Sequence, residues 1–119
     1  MRRSSLAPRW PLSIGALLAC CSVALSAYAS HAADDAVRAS LFVAAAFAFG
    51  HGLALVALAE RSRGRLGALA SLLLLVGVLL FSGALVGKAL FGLPSVVAPW
   101  GGSAMMLGWL LHAALVWRR

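Results

Sequence analysis

Acidic residues are almost missing from this chain: three Asp and Glu among 119 residues, and 11% charged residues in all. Soluble domains carry about a quarter. Asp34, Asp35 and Glu60 all lie between or at the edges of apolar stretches. No stretch therefore contains the buried carboxylate on which an ordinary proton- or sodium-coupled carrier depends. Paired-carboxylate catalysis is excluded for the same reason. No Ser/His/Asp order, glycine-rich phosphate loop or H-x-x-x-H pair is present, so neither an enzyme, a cofactor nor a metal site is expected. The two cysteines, Cys20 and Cys21, are neighbours inside an apolar stretch. On a helix they point about 100° apart, a poor geometry for a bridge, and they read as small apolar-like thiols.

What the chain does have is apolar length. It is 63% hydrophobic, with mean hydropathy +0.98. Four apolar stretches, residues 12–29, 39–59, 66–85 and 96–117, occupy nearly all of it. Crossing the ~30 Å hydrocarbon core takes about 20 helical residues. Backbone groups at that depth must be satisfied internally, which demands helices. The expected fold is an all-α, four-helix transmembrane bundle, a single integral membrane domain over residues 1–119 with no room for a soluble one. A net charge of +7 could suggest nucleic acid, but the basic residues fall in small groups at the ends of spans and make no continuous basic face.

Those groups instead set topology. With four spans, Arg2, Arg3, Arg9, Arg61, Arg63, Arg65, Arg118 and Arg119 fall on one side, and only Arg38 and Lys88 on the other. The positive-inside rule then puts both termini in the cytoplasm. The first stretch also imitates a secretory signal, with a basic start, an A-x-A pattern at Ala27-Tyr28-Ala29, and a lipoprotein-like Leu17-Leu18-Ala19-Cys20. Its apolar run is longer than the 7–15 residues of a typical signal core. Retention as a first span is the favoured reading.

Hydrophobicity cannot join helices in lipid, whereas close packing through small residues can. Each span carries small residues at four-residue spacing: Ser22, Ser26 and Ser30; Ala44, Ala48 and Gly52; Gly83 and Gly87; Ala104 and Gly108. Gly83 in particular is expected at a close helix contact, and substituting it is expected to cost more than Val78→Leu. Pro99 suits the first turn of the fourth helix, and Gly101-Gly102 serve close packing or a partly unwound start. Trp10 and Trp117, with Tyr28 and Trp100, form the expected aromatic belts.

Among polar residues, His51 is the most interesting, near the middle of the second stretch. It is expected to face the bundle interior as neutral imidazole, hydrogen-bonded to a partner on the first or third helix such as Ser26, Ser71 or Ser82. A proton relay or ligand contact is the competing reading. His112 shares a face with Gly108, and His31 falls at the outer surface near Asp34 and Asp35.

The order of several short motifs resembles a known family. Leu80-Phe81-Ser82-Gly83-Ala84-Leu85, Pro99-Trp100-Gly101-Gly102 with Gly108-Trp109, His51-Gly52-Leu53-Ala54-Leu55, and Ser26-Ala27-Tyr28-Ala29-Ser30-His31 together are similar to the small bacterial inner-membrane proteins of domain-of-unknown-function family 423, the UPF0382 membrane proteins. Vertebrate transmembrane protein 256 is a distant relative. Ser26, Ser30, Phe47, Val86 and Ala98 depart from the family pattern, and the last three lack hydroxyls that the family has. The resemblance implies that the first helix is retained and that the protein lies in the bacterial inner membrane. It implies no activity. The expected role is that of a structural or accessory component, packed in the bilayer with a larger membrane protein or a second copy. The alternative is an oligomeric subunit for transport of an ion or small solute.

Overall fold

A computed structural model describes residues 8–118. The chain forms four helices: α1 (Trp10–Ser30), α2 (Asp35–Ala57), α3 (Gly64–Phe91) and α4 (Ala98–Val116), with one 3-10 turn at Ala59–Arg61. Consecutive helices are antiparallel neighbours: α1 packs along α2, α2 along α3, and α3 along α4. α2 and α3 are thus the central pair. Leu55, Leu74 and Leu75 form one core cluster, against which Trp10, Ile14, Leu18 and Leu58 pack. Ala48, Val78 and Met105 form a second, flanked by Leu18 and Phe81.

Three helices, α1, α2 and α3, are long and apolar enough to cross a membrane. α4 has the length, at 19 residues, but not the mean hydropathy, because Trp100, Trp109, its glycines and His112 dilute it. Large apolar side chains also cover the outside, among them Leu17, Leu79, Met106 and Leu110. An exposed apolar surface of this extent fits lipid and not water.

The helix ends explain where the expected boundaries moved. α3 runs six residues beyond the expected end at 85. At ~1.5 Å per residue its 28 residues reach about 42 Å, longer than the hydrocarbon core. Gly87-Lys88 resembles a loop in sequence, but the stop signal is Gly92, whose φ of 65° is left-handed. Its N–H donates to the Lys88 carbonyl, and the Leu93 N–H to that of Gly87. Pro99 does lie in the first turn of α4, which is a continuous helix from Ala98. At the α1–α2 turn, the Asp34 carboxylate caps α2 by accepting from the Val37 N–H at 2.9 Å. Arg38 donates to the Ala32 carbonyl through both Nε and Nη2, at 3.1 and 2.7 Å, and meets Asp35 at 3.3 Å.

The expected stripe on α2, Ala44, Ala48 and Gly52, is buried, as are Ser22 on α1 and Gly108 on α4, but the seams do not keep a four-residue spacing throughout. Buried positions on α4 are Gly101, Met105, Gly108 and His112, and on α1 Pro11, Gly15, Ser22 and Ala29. On α2 the buried positions are Leu41, Ala44, Ala45, Ala48, Gly52, Ala54 and Leu55, among which Leu41, Ala45, Ala48, Gly52 and Leu55 follow one another in steps of four and three. Steps alternating between three and four are a heptad seam, the geometry of shallow left-handed crossings. The backbones meet at glycines. A Cβ on Gly101 would lie 2.6 Å from the Gly77 carbonyl oxygen, and one on Gly52 would lie 2.7 Å from that of Gly15. A Cβ on Gly108 would lie 2.8 Å from Leu74.

Gly83 corrects the expectation made for it. It faces outward, and a Cβ there would meet nothing within 4 Å; Gly102 is likewise open. A Cβ on Gly87 would make only an ordinary contact, 3.4 Å from Leu93, which folds back from the turn after α3. Ser26 and Ser30 also leave the seam, being half-buried and exposed.

Candidate functional site

Polar side chains that tie one helix or loop to another gather at three places; buried Ser22 bonds only to carbonyls of its own helix. The first is an interhelical tie at mid-bundle. Ser82 on α3 is buried, and its hydroxyl donates to the Ala44 carbonyl of α2 at 2.8 Å. Such a bond joins two helices where no water competes for the donor.

The second is His51. Its partners are not the serines expected but its own helix and α4. Nδ1 lies 2.9 Å from the Phe47 carbonyl oxygen, and Trp109 Nε1–H donates to Nε2 at 3.1 Å. The two contacts together assign one neutral tautomer: Nδ1–H donates to the carbonyl and Nε2 accepts from the indole. Phe47 stacks on the imidazole at 5.9 Å, Trp109 meets it edge-on, and Phe81 lies 4.6 Å from Phe47. The ring is only half-buried, at a shallow cleft between α2 and α4 lined also by Gly102, Met105 and Met106. It therefore does not face the interior as expected. A polar pair built from opposite helices needs no third-helix partner, and sequence spacing gave no sign that Trp109 would reach it.

The third place is the most enclosed. His112 on α4, Ser71 on α3 and Ser62 in the loop after the 3-10 turn are all buried. Ser62 Oγ–H donates to the Leu58 carbonyl at 2.8 Å, Ser62 and Ser71 hydroxyls are hydrogen-bonded, and Ser71 Oγ is 3.5 Å from His112 Nε2. The network ties the α2–α3 loop to α3 and α4 across 41 residues of sequence. His112 also lines a cavity of about 230 Å³ between the α2–α3 connection and the end of α4. The sequence puts His112 on the Gly108 face and marks Ser71 as a polar candidate, but not Ser62, which charged neighbours make look like an ordinary loop residue.

His31 is exposed in the α1–α2 turn. Arg9, Arg61, Arg63, Arg65 and Arg118 gather at the end of the bundle that holds this cavity, and Arg38 and Lys88 at the other, as antiparallel neighbours require. Arg2, Arg3 and Arg119 lie outside the described residues. Among the described residues no three His, Cys, Asp or Glu side chains converge on a metal position.

An all-α bundle with apolar exteriors and glycine-lined seams, three of its helices long and apolar enough to span a membrane, defines a helical protein of membrane type. Residues 25–102 match the family model described as Protein of unknown function (DUF423), and the chain belongs to that family. No curated protein and no solved structure matches it.

Proposed function

We propose that the chain is an accessory component of the bacterial inner membrane, crossing it four times with both termini cytoplasmic, and that it acts by packing laterally against a larger membrane protein or a second copy, without catalysis of its own. The observation that carries this reading is the unoccupied glycine face at Gly83 of α3. Gly83 is outward-facing with no neighbour within 4 Å, although the helix it sits on has its own seam elsewhere, at Gly77. An outward-facing glycine that nothing among the described residues meets suits a close helix contact from outside. Against the transport alternative, both ring nitrogens of His51 are engaged and α4 starts as a regular helix.

Gly83→Leu is expected to leave helicity and thermal stability in detergent unchanged while reducing the particle mass seen by light scattering to that of one chain. Unchanged assembly of this variant, or a wild-type chain that is already monomeric and co-purifies with no membrane protein, would remove the reading.

The topology has its own test. Reporter fusions after Arg9, Arg63 and Arg119 are expected to signal from the cytoplasm, and those after Asp35 and Pro94 from the periplasm, given eight basic residues on one side against two on the other. A periplasmic signal at Arg119 would refute it.

A further inference from the structure

The cavity beside His112 has the features of a built site. Leu58, Trp109 and Val116 give it apolar walls, and Arg61 stands at its rim. The only other polar side chain on it is His112, which is itself just 7% exposed. The serine network determines what that imidazole offers. All three contacts are satisfied together only if Ser62 donates to the Leu58 carbonyl, Ser71 donates to Ser62, and Ser71 accepts from His112 Nε2–H. Nδ1 is then a bare acceptor. It has no hydrogen bond within the described residues, yet no buried side-chain nitrogen or oxygen lacks a partner there, so Nδ1 is not sealed and opens on the cavity that His112 lines.

An occupant of this cavity must therefore present a hydrogen-bond donor to Nδ1 and tolerate apolar walls. The arginines gathered at this end of the bundle add a preference for negative charge. The volume of about 230 Å³ is below that of pockets for drug-sized molecules, which start near 300 Å³. The position is the arginine-rich end of apolar helices, the depth at which headgroups lie. We propose that the cavity holds the headgroup of phosphatidylglycerol, with a glycerol hydroxyl donating to His112 Nδ1 and the phosphodiester at the arginine-rich rim. A phosphatidylmethanol headgroup has the same phosphodiester and the same net charge but no donor, which makes it the discriminating control.

The experiment is native mass spectrometry of the full-length protein in mild detergent, offered phosphatidylglycerol or phosphatidylmethanol with identical acyl chains. The wild type is expected to retain phosphatidylglycerol about fivefold better, the worth of one hydrogen bond. Ala113→Trp fills the cavity from its exposed wall and is expected to abolish the preference. Val116→Trp repeats the test from a second wall position, should the first variant fold poorly. Leu110→Trp, on the lipid-facing side of the same helix, is expected to keep it. Equal retention of the two lipids by the wild type would overturn the proposal, as would a preference that survives both cavity-filling variants. Displacement of the lipid by millimolar glycerol phosphate would overturn the lipid assignment in favour of a soluble phosphate ester.

Discussion

Gly101→Val is expected to separate α4 from α3 and to cost about 3 kcal/mol, the upper end of the range for overpacking. A Cβ at this position would lie 2.5 Å from the Phe81 nitrogen and 2.6 Å from the Gly77 carbonyl oxygen. Both are backbone atoms, so no side-chain rotation can make room, and the two helices must move apart along the seam. Moving them apart also pulls Met105 from Val78 and lengthens the contact between His112 and Ser71. The measurement is reversible unfolding in mixed detergent, followed by circular dichroism. Gly83→Leu is the paired control and is expected within about 0.5 kcal/mol of wild type, as for other outward positions. If the two variants unfold together, the α3–α4 seam is not where these residues put it. The ordering against Val78 also reverses: Val78 is fully buried, so Val78→Leu, and not the Gly83 substitution, meets resistance.

Leu74→Ala is expected to destabilise the bundle by about 2 kcal/mol, the low end of the range for such truncations in soluble cores. Leu74 is fully buried between Leu55 and Leu75, and it is the side chain that fills the space left by Gly108. In water-soluble proteins the cost combines a transfer term with a cavity term. Here the transfer term nearly vanishes, because the unpacked leucine would sit in lipid as apolar as the core. What remains is the cavity and the lost dispersion contacts. Leu79→Ala, on the outer surface, makes no cavity and is expected to cost far less. Equal losses for the two would mean that burial from water still dominates and that the bundle is not in a membrane-like reference state. The same unfolding assay separates the cases.

The sequence by itself determined the helices and their ends' charges. Apolar stretches of about 20 residues leave the backbone no alternative in lipid. The gathering of Arg9, Arg61, Arg63, Arg65 and Arg118 at one end follows once the helices alternate in direction. Leu93 could not be read in advance as the neighbour of Gly87, since that depends on how Gly92 turns the chain. Nor did the sequence identify Gly15 and Gly77 among twelve glycines as crossing points, or leave Gly83 out. In a soluble helix the buried face is recognisable because the other face is polar. Here both faces are equally apolar, so periodicity carries little of that information, and the crossing angle selects the glycines. The polar ties depend on tertiary structure for the same reason. His51 meets Trp109 across 58 residues and His112 meets Ser71 across 41, because a hydrogen-bonding side chain at this depth takes whichever partner the neighbouring helix brings within reach.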